Sequence, residues 1–139
     1  MSLVHQATCV AIKGRALLIE GPPGSGKSSM ALALIDRGAA LIGDDGVTLE
    51  RNEGRLIASP PPHTAGLIEV RNLGLLDWPT VAGVPVALVL RLDHEAPRFV
   101  EQAERLTLGG IDLPLIRIWP GGEILALKVE LALARFGIG

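Results

Sequence analysis

Gly21-Pro22-Pro23-Gly24-Ser25-Gly26-Lys27-Ser28 is the stretch on which the reading of the fold turns. Its spacing, Gly-x-x-x-x-Gly-Lys-Ser, is that of a phosphate-binding loop. The flanks supply the context such a loop needs. Ala16 to Glu20 is an apolar run that reads as a strand, and Ser28 to Arg37 places Met30, Ala31, Leu34 and Ile35 on one helical face. Gly38 stands where a helix C-cap glycine belongs. In this arrangement backbone N–H groups wrap phosphate oxygens, the helix N-terminus adds donors, Lys27 reaches the β- and γ-phosphates and Ser28 offers a hydroxyl to Mg²⁺. The alternative is a glycine turn that binds nothing. Lys27 argues against it, because a cation in a first helical turn opposes the macrodipole unless an anion is present.

Working outward, Thr8 to Ile12 precedes the loop strand across Lys13-Gly14-Arg15, a hairpin signature. After the helix, Ala39 to Gly43 predicts a short buried strand ending at Asp44-Asp45. Val47 to Glu50 and Leu56 to Ala58 predict a second hairpin around Asn52-Glu53-Gly54, stopped by Pro60-Pro61-Pro62. His63 to Gly74 reads as loop with a short apolar segment, Leu67 to Val70. Val84 to Leu92 predicts a long strand, Glu95 to Arg105 a short helix, Leu113 to Trp119 a late strand and Gly122 to Phe136 a final helix flanked by Pro120, Gly121 and Gly137. This order is not regular βαβ alternation. It predicts an α/β domain with a mixed sheet and packed helices, occupying residues 1–139 as a single unit.

Composition narrows the function classes. The 139 residues suit one domain with a real core, and hydrophobic residues at 48% exclude a disordered chain. The formal net charge of −2 gives no case for nucleic acid. A single cysteine, Cys9, excludes an internal disulfide framework and reads as a small buried hydrophobe. No apolar stretch is long and uncharged enough for a membrane span and no signal segment is visible, so a cytoplasmic protein is expected.

Asp44-Asp45 is the second candidate for chemistry. If the helix returns the chain so that Ala39 to Gly43 lies beside the loop strand, both carboxylates arrive at the phosphate end of the sheet. One can orient Mg²⁺ and the other can take a proton from an attacking hydroxyl; the bland alternative is an Asx turn. His5, before the first hairpin, can approach the same end. Glu69 and Arg71 alternate with Ile68 and Val70 and project from one face, and Arg105 sits in Glu104-Arg105-Leu106.

The series Val4-His5, Gly21 to Ser28, Arg37-Gly38, Asp44-Asp45 and Glu69-Val70-Arg71-Asn72-Leu73-Gly74 resembles the catalytic domain of HPr kinase/phosphorylase, in a short form without the family's separate N-terminal domain. The resemblance covers essentially the whole chain. It implies a P-loop fold akin to phosphoenolpyruvate carboxykinase and ATP bound over Gly21, Pro22, Pro23, Gly24, Ser25, Gly26, Lys27, Ser28 and Ser29. It implies Mg²⁺ held by Ser28 and Glu69, with His5, Lys27, Asp44, Asp45 and Arg105 catalytic. Asp45, with Asp44 beside it, matches the acidic pair that accepts a proton in phosphorylation and donates one in the reverse reaction. The implied partner is the phosphocarrier HPr, phosphorylated on serine, and the implied assembly is a homo-oligomer. Two departures stand out. Asn72 replaces a family glycine, and Trp119-Pro120-Gly121-Gly122-Glu123 lacks the arginine of a proline-glycine-arginine segment tied to dephosphorylation. Kinase activity is therefore favoured over phosphorylase activity. Two other readings share the loop: a nucleotide-sensing regulatory module without catalysis, and a small-molecule kinase.

Overall fold

Short apolar runs separated by tight turns fold as hairpins. In the computed structural model, which describes residues 2–63 and 65–139, β2 (Thr8–Ile12) and β3 (Arg15–Glu20) pair antiparallel across Lys13-Gly14, with Val10 opposite Leu17. The glycine loop follows β3 and leads into α1 (Lys27–Asp36). That helix ends as its glycine predicts: Ala39 N–H bonds Leu34 O and Gly38 N–H bonds Ile35 O, both at 3.0 Å, a Schellman closure. β4 (Ala40–Gly43) then returns to the sheet.

β4 does not lie beside β3, as the sequence reading expected. It pairs antiparallel with β2, where Val10 contacts Leu41 on one side and Leu17 on the other. The tight β2–β3 turn has already placed β2 on that edge, so β4 adds outside it. The acidic pair still reaches the loop. β2 runs opposite to β3 and β4, so its first residue, Thr8, lies at the carboxyl ends of both.

β5 (Val47–Asn52) and β6 (Arg55–Ser59) form the second expected hairpin, and β1 (Ser2–His5) extends it with His5 opposite Val47. Of the stretch read as loop from His63 to Gly74, Thr64 lies outside the described residues; β7 (Leu67–Val70) pairs with β8 (Gly74–Asp77) as a separate two-stranded sheet. Asn72 sits at the turn with φ 76°, and asparagine is among the few residues that tolerate this left-handed conformation, which glycine adopts freely.

β9 (Val84–Leu92) is the central strand, parallel to β3 and to β11 (Ile111–Ile118), which pairs in turn with β10 (Glu104–Leu108). The result is a nine-stranded mixed sheet in the order β1-β5-β6-β9-β3-β2-β4, with β11 and β10 branching from β9. The short helix expected over Glu95 to Arg105 is absent. Asp93 accepts the Glu95 N–H on its side chain at 2.8 Å and the Ala96 N–H on its carbonyl at 3.2 Å, and Pro97 follows without an N–H, so the chain turns and re-enters the sheet at Glu104. α2 (Leu125–Phe136) closes the fold, starting later than Gly122 because residues 122–125 form a turn.

Alternation along β3 builds a core on each face. Leu17 and Ile19 meet Met30 and Leu34 of α1 and Val129 and Leu133 of α2, while Ala16 and Leu18 face Cys9, Ile42, Leu49 and Leu115 under the curled half of the sheet. Each fully buried leucine or isoleucine contributes roughly 1.5–3 kcal/mol, so the strand preceding the loop is held firmly from both sides.

Candidate active site

The glycine loop leaves α1 without a conventional cap. Gly26 occupies the N-cap in the left-handed conformation with φ 100°, no side chain caps the helix, and its first turn carries no acidic residue. The first helical bond runs from Met30 N–H to Gly26 O at 2.9 Å, so the N–H groups of Lys27, Ser28 and Ser29 point to the loop without helical partners. A Cβ on Gly21 would lie 2.5 Å from Ser25 Oγ, so the loop closes only over a bare α-carbon there. Lys27 Nζ curls back to donate to Gly21 O at 2.9 Å, and Ser25 Oγ is buried without a hydrogen-bond partner among the described residues.

Asp44 and Asp45 occupy different environments. Asp44 is buried, with Oδ1 accepting from Ser28 Oγ at 2.7 Å and Thr8 Oγ1 at 3.1 Å, and Oδ2 accepting the Glu69 backbone N–H at 2.9 Å. This carboxylate fastens the start of α1, the start of β2 and the β7–β8 hairpin to the end of β4. Asp45 is exposed and left-handed at φ 60°. Neighbours in sequence thus divide into a fixed carboxylate and a free one.

Glu69 reaches the site through its backbone. Its side chain is exposed and, with Ser29, Arg71 and Trp78, borders a cleft of about 800 Å³ along α1. Arg105 is not drawn in. It lies exposed on β10, 4.0 Å from Asp112.

His5 does not meet either aspartate. Its Nε2 is 2.7 Å from Glu20 Oε2, while Arg91 Nε and Nη2 donate to Glu20 Oε1 at 3.1 and 2.6 Å. Burial of Glu20 favours its neutral acid, but the hydrogen bonds and charges of His5 and Arg91 outweigh it and hold the carboxyl below its ordinary value. Sequence reading missed Glu20 and Arg91. The usable signal was a charged residue closing an apolar strand directly before the loop. Glu20 pairs with Arg91 across the parallel β3–β9 register, and both residues, with His5, Pro22 and His94, line a cavity of about 570 Å³ against the loop.

These residues fit a nucleotide phosphate chain with a hydrated divalent cation. Unpartnered N–H groups, an alkyl-ammonium in the first turn and a hydroxyl backed by a buried carboxylate are the donor set such a ligand requires. Among the described residues no group of three or more histidine, cysteine or carboxylate side chains could cage a metal ion. Mg²⁺, which commonly keeps its waters and takes phosphate oxygens, does not need one.

Strand, glycine loop, uncapped helix and the Ser28–Asp44 link define a P-loop domain built on a mixed sheet. The family model for the HPr Serine kinase C-terminal domain matches residues 2–108, and the chain belongs to that family. It is 39% identical over 141 aligned residues to the HPr kinase/phosphorylase of Clostridium beijerinckii, covering 91% of this chain and 46% of that protein. It is 37% identical over 138 to the HPr kinase/phosphorylase of Cupriavidus necator, covering 87% and 42%. The chain thus spans less than half the length of these curated relatives. A solved structure, the Hpr(Ser) kinase/phosphatase from Coxiella burnetii, superposes with a TM-score of 0.86 at 28% identity, covering 95% of this chain and 88% of that one. The fold is the α/β mixed-sheet P-loop fold expected from the sequence. Among the described residues no helix is long and apolar enough to cross a membrane.

Proposed function

We propose that this chain is an ATP- and Mg²⁺-dependent protein serine kinase domain acting on HPr or an HPr-like phosphocarrier in the cytoplasm, as a homo-oligomer. The observation that carries this reading is the split of the acidic pair, with Asp44 locked onto Ser28 and Asp45 free beside it. Family membership and the relatives' names supply the acceptor.

In this reading the backbone from Gly21 to Ser29 binds the phosphates, and Lys27 leaves Gly21 O to take the β- and γ-phosphate charge. Bound Mg²⁺ supplies charge neutralisation of the phosphate chain. Ser28 Oγ, which donates to Asp44, and the exposed Glu69 carboxylate are the groups that would hold it. Asp45 accepts the proton of the attacking serine hydroxyl. Phosphoryl transfer depends mainly on positioning and neutralised charge, so few polar groups suffice. His5 acts from the cavity beside Gly21 and Pro22, and Arg105 is assigned a role only through the family pattern.

Incubation of the chain with labelled ATP, Mg²⁺ and HPr tests the proposal: label appears on an HPr serine, and its absence despite ATP binding favours a nucleotide sensor. Gly122, where the family pattern has an arginine tied to dephosphorylation, is the reason transfer to HPr is proposed rather than removal of phosphate from it.

A further inference from the structure

Glu20 ends β3 immediately before the glycine loop, and its two carboxylate oxygens are committed to different partners. Oε1 accepts two N–H donors from Arg91, and Oε2 meets His5 Nε2 at 2.7 Å. Arg91 has only donors and can face only an oxygen. An ionised carboxylate has only acceptors, so the His5 nitrogen facing it must carry a proton.

We propose that Glu20, locked in orientation by Arg91, is a positioning residue that holds His5 as its Nε2–H tautomer and leaves Nδ1 as the acceptor nitrogen available at the phosphate-loop cavity. Several features support this. The carboxylate joins three strands, β1, β3 and β9, so the imidazole is fixed to the sheet rather than to a loop. The side chain of Glu20 is 12% exposed and that of His5 22%, so water competes little for the bond. The ionised state of Glu20 is favoured by both partners. The geometry is that of a carboxylate orienting an imidazole, an arrangement in which the carboxylate sets which ring nitrogen is free to exchange a proton with a substrate.

The substitution Glu20→Gln gives a sharp test, because the shape is preserved while one oxygen becomes an NH₂ group. Arg91 must retain the amide oxygen, so the NH₂ turns to His5 and demands an acceptor there. Long-range ¹H–¹⁵N NMR, at a pH where the ring is neutral, reads the tautomer directly. The chain has three histidines, and loss of one signal set in His5→Asn assigns His5. The expected result is Nε2–H in the unsubstituted chain and Nδ1–H in Glu20→Gln. A neutral His5 carrying its proton on Nδ1 in the unsubstituted chain overturns the proposal even if the variant fails to fold, and so does an unchanged tautomer in a folded Glu20→Gln.

The kinetic consequence rests on the kinase reading. A reversed tautomer should lower kcat for transfer to HPr by about 10- to 100-fold with KM for ATP within about twofold. An unchanged kcat with a reversed tautomer overturns the positioning role. Absence of transfer by the unsubstituted chain instead refutes the kinase reading and leaves the tautomer measurement to decide this one.

Discussion

The Ser28 hydroxyl donates a 2.7 Å hydrogen bond to Asp44 Oδ1, joining the first turn of α1 to the end of β4. The same buried carboxylate also takes Thr8 Oγ1 and the Glu69 N–H, so it ties three further segments to the end of β4. Asp44→Ala leaves these donors without their acceptor in a largely buried place and is expected to cost about 2–4 kcal/mol. Urea denaturation at neutral pH measures this, and a loss below about 0.5 kcal/mol would mean that water replaces the carboxylate.

Asp45 should trade stability against activity. Its left-handed backbone, φ 60°, is adopted more easily by glycine than by aspartate, although aspartate tolerates it better than most residues. Asp45→Gly is expected to leave stability unchanged or raise it by up to about 1 kcal/mol, while removing transfer. Asp45→Asn should keep ATP affinity and lower transfer by about 10²–10⁴-fold. Transfer by Asp45→Asn at the unsubstituted rate would remove Asp45 as the proton acceptor.

Lys27 donates a hydrogen bond to Gly21 O at the uncapped end of α1. Without ligand, Lys27→Ala should change stability by no more than about 1 kcal/mol, since a cation there opposes the helix dipole. With MgATP at about 100 times its Kd the unsubstituted chain should gain about 2.7 kcal/mol, and Lys27→Ala should gain almost none. Thermal denaturation with and without MgATP distinguishes the two.

Glu20 should give an acid-side signature. Its folded carboxyl lies below the ordinary value of 4.5, so its stabilising contribution is complete above that pH and is lost as pH falls through the lower folded value. The stability gap between the unsubstituted chain and Glu20→Gln should therefore narrow as pH falls below 4.5. A gap that is constant or widens toward acid would contradict the Arg91–Glu20–His5 arrangement.

The glycine loop was legible in the sequence because its chemistry is carried by backbone conformation at fixed spacing. The hairpins around Gly14 and Gly54, the long strand Val84–Leu92 and the Gly38 helix stop were legible for the same local reason. What escaped depends on partners distant in the chain. β1 is a half-exposed edge strand that pairs with β5, and β10 exists because β11 pairs with it, where the sequence reading ran a short helix as far as Arg105. In the candidate site, Asp44 and Asp45 were found as a pair, but only the ladder between β2 and β4 decides which is buried. Glu20 and Arg91 take their meaning from register across β3 and β9, which no single stretch of sequence contains.

The most direct measurement is transfer of label from γ-labelled ATP to HPr by the unsubstituted chain, run beside Lys27→Ala and Asp45→Asn. The account predicts Mg²⁺-dependent label on an HPr serine with the unsubstituted chain, none with Lys27→Ala, and a rate reduced by about 10²–10⁴-fold with Asp45→Asn, whose ATP affinity is retained. An unsubstituted chain that binds MgATP and leaves HPr unlabelled would contradict it.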